Sequence, residues 1–201
     1  MSVGGIGIIG MGKYIPSKKI TSEEVETWTG LPKGAIEERT GIQVRHVVEQ
    51  ESASEISAIA SRGALQAANV FSEDLGLILG CTSTPDYLTP AMACKVHQLI
   101  GAKKAAAYDL VANCTAIQSR YLNWKDPNSA PYFGDGSGAA VLGRVPQNYG
   151  VLASETFTHS AAYEAVRIRG GGSSFPLTAG TIHQGLQFCE INGIEVWKRV
   201  V

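Results

Sequence analysis

Ala105-Ala106-Ala107-Tyr108-Asp109-Leu110-Val111-Ala112-Asn113-Cys114-Thr115-Ala116 is an apolar, strand-like run that closes on a cysteine followed by small and capping residues. Such a run suits a buried strand handing over to a helix. A sulfur at that junction faces unpaired N–H groups and the positive end of the helix dipole, which favour thiolate over thiol. A thiolate held there is a nucleophile. Alone, the stretch allows a second reading, in which Cys114 is a small buried hydrophobe with no chemistry. The sequence around it decides between the two.

The chain has 201 residues, enough for one sizeable domain or two small ones. Seventeen Lys and Arg against eighteen Asp and Glu leave a net charge of −1, which offers no electrostatic basis for binding nucleic acid or an anionic membrane surface. Hydrophobic residues make up 44% and there are 23 glycines, a balance suited to a globular α/β protein. The cysteines Cys81, Cys94, Cys114 and Cys189 form no C-x-x-C pair and keep no zinc spacing with the four histidines. They read as reduced thiols, no metal site is expected, and the expected compartment is the cytoplasm. No basic-then-apolar leader and no apolar run of transmembrane length is present, so a soluble, unexported protein is expected.

Outward from the central run, the chain alternates strands and helices. Gly5-Ile6-Gly7-Ile8-Ile9-Gly10 matches G-x-G-x-x-G, but no strand precedes it and Tyr14-Ile15-Pro16 replaces the helix a dinucleotide loop requires. It reads as an opening core strand. Thr21-Ser22-Glu23-Glu24 and Ser52-Ala53-Ser54-Glu55 have capping-box spacing and open two helices. The first runs through Trp28. The second ends near Asn69, with Ile56, Ile59, Ala60, Ala64, Ala67 and Ala68 on its inner face. Between them, Gly34 to Arg39 forms a helical turn and Ile42 to Val48 an alternating strand, with His46 at the surface or edge. Asp74 to Cys81 reads as a strand from the middle of a parallel sheet, with Cys81 in the core. Thr89-Pro90 predicts an N-cap and a first-position proline for a helix ending at Gly101. Pro131 to Gly138 is a glycine-rich turn before the strand Ala139–Gly143; with no P-loop lysine, its glycines read as tight backbone approach. A strand is expected at Gly150–Glu155, an exposed loop at Arg167–Phe175, and a helix capped by Asn192.

One feature breaks the alternation. Only Thr115 to Gln118 separate Cys114 from Ser119-Arg120-Tyr121-Leu122-Asn123-Trp124. A parallel crossover needs a dozen or more residues, usually a helix. The helix that should follow the cysteine has a start and no body.

Five ordered motifs resemble ketoacyl-ACP synthase III of the thiolase superfamily. They are Glu38-Arg39-Thr40-Gly41-Ile42, Thr82-Ser83-Thr84-Pro85-Asp86, Asn113-Cys114-Thr115-Ala116 with Ser119–Trp124, Phe133–Gly143, and Asn192-Gly193-Ile194-Glu195-Val196-Trp197. The resemblance covers nearly the whole chain. It implies a thiolase-like layered αβαβα fold. Residues 1–144 would form the N-terminal half, with a helix and strand absent between residues 118 and 119, and residues 145–201 the start of a truncated C-terminal half. It implies a cysteine-mediated acyltransferase: Cys114 accepts an acyl group from a thioester, and malonyl-ACP loses carbon dioxide and attacks the acyl-cysteine. The reaction needs no cofactor beyond its thioester substrates. The implied partners are an acyl carrier protein, an acyl thioester and a second copy in a homodimer.

The family's catalytic His and Asn belong to a region this chain lacks, and His46, His97, His159 and His183 sit in none of the matching contexts. By the same resemblance, Arg39 contacts CoA phosphates. Ala35 and Pro127 replace the Trp and Arg that commonly sandwich the adenine. Thr89 stands where a bulky residue often closes the acyl pocket, so it implies a primer longer than acetyl. Two other roles fit the same residues: a related enzyme passing acyl groups to another nucleophile, and a non-catalytic partner subunit of a thiolase-fold complex.

Overall fold

The computed structural model describes residues 5–111, 116–158 and 160–200. Strands β1 (Gly5–Tyr14) to β8 and helices α1 to α6 follow one another along the chain. After β1 come β2 (Lys18–Thr21), α1 (Ser22–Thr29), α2 (Ala35–Thr40), β3 (Val44–Val47), α3 (Ala53–Ala68), β4 (Leu77–Cys81), α4 (Met92–Ile100) and β5 (Ala106–Leu110). The second part holds β6 (Ser137–Val145), β7 (Val166–Ile168), α5 (Ala179–His183), β8 (Cys189–Ile191) and α6 (Gly193–Val200). The residues group into two compact units. One holds residues 1–18, 46–117 and 135–155, and the other 19–45, 118–134 and 156–201.

In the first unit, β1 pairs antiparallel with β6, and β4 pairs parallel with β5. Both predicted capping boxes form, that of α1 in the second unit and that of α3 in the first. The Thr21 and Ser52 hydroxyls accept the N–H groups of Glu24 and Glu55, whose carboxylates accept the cap N–H groups in return. Helix α3 lies close on β1, and the glycines of the G-x-G-x-x-G run explain why. A Cβ on Gly10 would stand 2.5 Å from the Ala64 carbonyl oxygen, and one on Gly12 would fall inside the backbone of Ala60 and Ala64. These glycines serve close strand–helix packing, as the reading of a core strand requires. Ala64, Leu65 and Val141 form one core cluster. Val48, Ala53, Ile56, Met92, Val96, Ala116 and Ile117 form another. Within α3, Leu65 is buried while Ile59 and Ala67 face solvent, a departure from the predicted face.

Several expectations are corrected here. Strands β4 and β5 are not buried on both faces: Leu77, Leu79, Cys81, Ala106, Tyr108 and Leu110, cross-strand neighbours on one face, are all exposed. Cys81 is therefore outside the core. Alternation decides this, since only Ile78, Gly80, Ala107 and Asp109 turn to the covered side. No strand forms at Gly150–Glu155: the Val151 N–H donates to the Ile6 carbonyl, and no described strand pairs with the segment. Thr89 does not cap α4. That helix begins at Met92 after Ala91, and the Asp109 carboxylate of β5 accepts the N–H groups of Met92 (2.6 Å) and Ala93 (2.8 Å). A carboxylate reaching across from the neighbouring strand does the work that a local cap would do.

In the second unit, Val25, Ile36, Leu122, Ala130 and Leu186 are buried. Trp28 and Trp124 meet edge to face, 5.7 Å between centroids. The stretch from Arg167, expected as an exposed loop, opens as strand β7. Its register sets Arg167 opposite Glu190 of β8. Arg167 Nε lies 3.3 Å from Glu190 and its guanidinium 2.8 Å from Glu164, while Arg169 pairs with the same Glu190, so both arginines are half-buried. Asn192 caps α6 as predicted, its side-chain oxygen accepting the Glu195 N–H.

Candidate active site

Cys114 lies outside the described residues, and so does His159. The frame on either side of Cys114 is described. On the approach, β5 ends at Leu110 beside Cys81, the last residue of β4. On the exit, Ala116 and Ile117 are buried in the core of the first unit. No helix begins there among the described residues. Ile117 instead makes a bridge to Asp135, and a short 3₁₀ turn follows at Ser119–Tyr121. The helix start expected after the cysteine is thus not formed by residues 116–121.

What holds the exit is a set of buried polar groups. The Thr82 and Thr84 hydroxyls accept the N–H groups of Ala116 and Ile117, each at 3.3 Å. From the other side, the Gly136 N–H donates to the Ala116 carbonyl at 3.0 Å. Asp135 is itself anchored, with its N–H donated to the His46 carbonyl at 2.7 Å and its carboxylate accepting the Val48 N–H at 2.8 Å. The motifs Thr82–Asp86 and Phe133–Gly143 therefore converge on the residues after Cys114. Asp86 adds a contact to α3 by accepting the Ser54 N–H. A Cβ on Gly136 would stand 3.4 Å from the Tyr14 carbonyl oxygen, an ordinary contact, and one on Gly138 would meet nothing, so the expected tight backbone approach explains neither glycine.

Among the described cysteines, Cys189 is buried, and desolvation pushes its thiol up despite a hydrogen bond with Gln118. That environment disfavours a thiolate. Cys81 and Cys94 are exposed. Of the histidines, His46 is half-buried rather than at the surface, its Nδ1 held 2.5 Å from the Pro16 carbonyl oxygen. His183 ends α5 in solvent. No group of three or more His, Cys, Asp or Glu among the described residues is arranged to hold a metal ion.

The other predicted site residues fall elsewhere. Arg39 is exposed in the last turn of α2. The helix is set by Glu26, a buried carboxylate accepting the N–H groups of Gly34 (2.8 Å) and Ile36 (2.9 Å). The Ile36 and Gly34 N–H groups hold the Glu26 carboxyl below its usual range. Ala35 is buried beside this anchor and Pro127 is exposed. Thr89 is exposed ahead of α4. Sequence reasoning missed Thr82, Thr84, Glu26, Asp109 and Asp135 as organising residues. Their signal was available only as polar residues near strand ends or, for Glu26, within α1, and nothing local says which backbone groups they meet.

Solved structures place the fold. The crystal structure of 3-oxoacyl-[acyl-carrier-protein] synthase III from Aquifex aeolicus VF5 matches with a TM-score of 0.82 and 26% identity over 96% of this chain and 67% of that one. The priming β-ketosynthase of the R1128 polyketide pathway matches at 0.81 and 21% identity, over 96% of this chain and 65% of that one. The protein is of the thiolase-fold α/β class. The profile described as 3-oxoacyl-[acyl-carrier-protein (ACP)] synthase III matches residues 90–160. The β-ketoacyl-[acyl-carrier-protein] synthase III of Desulfitobacterium hafniense (strain Y51) is 35% identical over 223 residues, 98% of this chain and 67% of that protein. That of Caldanaerobacter subterraneus subsp. tengcongensis is 33% identical over 222 residues, 97% of this chain and 67% of that protein. The chain belongs to the 3-oxoacyl-ACP synthase III family, and spans about two thirds of the length of these relatives. Their aligned span exceeds the 201 residues of the chain, so they carry residues inside it that this chain does not.

Proposed function

We propose that the protein is an acyltransferase of the 3-oxoacyl-ACP synthase III type in which Cys114 accepts the acyl group. The observation that carries the reading is the buried exit strut Ala116–Ile117, gripped from two motifs directly after the cysteine. A nucleophile needs a fixed backbone beneath it. The Cys114 thiolate attacks the thioester carbonyl, and the tetrahedral intermediate expels the donor's thiolate, leaving acyl-Cys114. Malonyl-ACP then loses carbon dioxide. Its C2 carbanion attacks the acyl carbonyl and expels the Cys114 thiolate, giving 3-oxoacyl-ACP. Release of carbon dioxide drives the condensation, so thioester substrates suffice without a resident cofactor.

Arg39 takes the phosphates of a CoA donor in this reading, supported by its exposed guanidinium on a helix anchored by Glu26. Thr89 lines the acyl channel, supported by its exposure and by its not being used as a helix cap. An acyl carrier protein is the partner, a homodimer the working assembly, and the cytoplasm the setting. No described helix is long and apolar enough to cross a membrane.

Incubation with acyl-CoA or acyl-ACP of increasing chain length, followed by peptide mass mapping, tests the reading. The expected result is a thioester adduct on Cys114 that favours primers longer than acetyl. No adduct with any donor overturns the enzymatic reading, and strict acetyl preference overturns the role of Thr89. One observation favours a second role, that of a partner subunit: the exposed apolar face of β4 and β5. Absence of any adduct, with a stable complex formed on that face, would establish it.

A further inference from the structure

Strands β1 and β6 carry α3 on one face only. Against the helix they set Gly10, Gly12, Ala139 and Val141. Alternation and register gather Ile6, Ile8, Met11 and Leu142 on the other face. These four are 52%, 59%, 69% and 63% exposed, so that face is uncovered among the described residues. Large apolar side chains gathered on one open face mark a surface that takes a partner. The face also has a charge pattern. Lys13 stands at one end, opposite Gly138, and Arg144 at the other, opposite Ile6. Both are exposed, neither is ion-paired among the described residues, and no carboxylate shares the face.

We infer that this face docks an amphipathic α-helix carrying an acidic residue in each of its terminal turns. The inference goes beyond the reading of Cys114 and does not depend on it. A layered α/β sheet buries each apolar face under another element. On the covered side α3, 16 residues long, spans the same strand pair. The two cations stand about 20 Å apart along β6 at the rise of an antiparallel strand, a distance that about 13 residues of helix cover. Carboxylates at that spacing, flanking an apolar stripe, would meet both cations at once. A second copy of the chain fits worse. Packing two such faces together would set cation against cation in any register, because neither brings a carboxylate.

The test is fluorescence anisotropy of the full-length protein with two labelled synthetic peptides of about 18 residues, long enough to cover the face as a helix. Both carry leucines at helical spacing. One has a Glu in each terminal turn, about 13 residues apart, and its twin has Lys at both places. Expected at low salt is saturable binding of the Glu peptide and binding about tenfold weaker for the Lys twin, since two surface pairs turn from attraction to repulsion. Leu142→Asp should abolish binding of both peptides. The double variant Lys13→Glu, Arg144→Glu should reverse the preference, which a change in folding alone would not do. All three side chains are exposed, and circular dichroism checks that each variant keeps its fold. Equal binding of the two peptides, binding of neither, or an unreversed preference in the double variant overturns the inference. So does a wild-type dimer that Leu142→Asp converts to monomer in analytical ultracentrifugation, which would assign the face to a second copy. Binding to anionic phosphatidylserine vesicles with no binding of the Glu peptide would assign it to lipid and overturn the inference as well.

Discussion

At the scale of single residues, the proposed chemistry rests on the Cys114 thiol and the frame around it on carboxylates that organise backbone. Cys114→Ser should abolish the acyl adduct at position 114 and reduce condensation below about one-thousandth of wild type, measured by product mass, because a nucleophile's loss removes the covalent route. Glu51 offers a pH test of the frame. Its carboxyl is lowered to about 2, first by its own backbone N–H, then by the Tyr14 hydroxyl at 2.7 Å and the Glu49 N–H. A folded-state value below the ordinary ~4.3 means the stabilisation is complete above that pH and disappears as the pH falls towards 2. Thermal melts of Glu51→Gln should therefore fall below wild type at pH 7 and converge with it near pH 2. A constant difference across that range would show that the carboxylate is not the cause. Little of this was visible in the sequence. Cys114 stood out because an apolar strand ran into it, whereas Glu51 and Thr82 become distinctive only when distant groups meet them.

At the scale of elements, the local signals worked where the interaction was itself local. Both capping boxes and the Asn192 cap formed because donor and acceptor lie three residues apart. Thr89-Pro90 carried the composition of a cap and failed, since Asp109 from β5 reaches the α4 N-terminus instead. Asp109→Ala should cost about 1–2 kcal/mol in chemical denaturation, the usual effect of losing a helix cap. Thr89→Ala should leave stability within about 0.5 kcal/mol, as at an ordinary surface position. The G-x-G-x-x-G run is likewise a packing device. Gly12→Ala places a methyl into the α3 backbone and should destabilise by about 1–3 kcal/mol or more, with nothing lost in nucleotide affinity.

At the scale of the whole molecule, the uncovered face of β4 and β5 stands out. Parallel sheets are ordinarily covered on both faces. Tyr108, with 49% of its surface exposed, sits among Leu79 and Leu110 on the open one. The protein should bind a hydrophobic dye such as ANS. A chimera given the helix and strand that the family resemblance expects between Gln118 and Ser119 should bind less of it and melt higher; equal dye binding would show that such a segment does not cover this face. By itself the sequence determined the α/β alternation, the capped helices, the family and the cysteine to watch, because periodicity, caps and motif order are written within a few residues of one another. The sequence also carries, after Cys114, a crossover too short to hold a helix. Only the tertiary structure decided that Asp109 caps α4, that Arg167 and Arg169 share Glu190, that one face of β4 and β5 is open, and that Thr82 and Thr84 grip the exit from Cys114. Each of those depends on which strand end meets which backbone N–H across tens of residues, a pairing that burial selects and local composition does not encode.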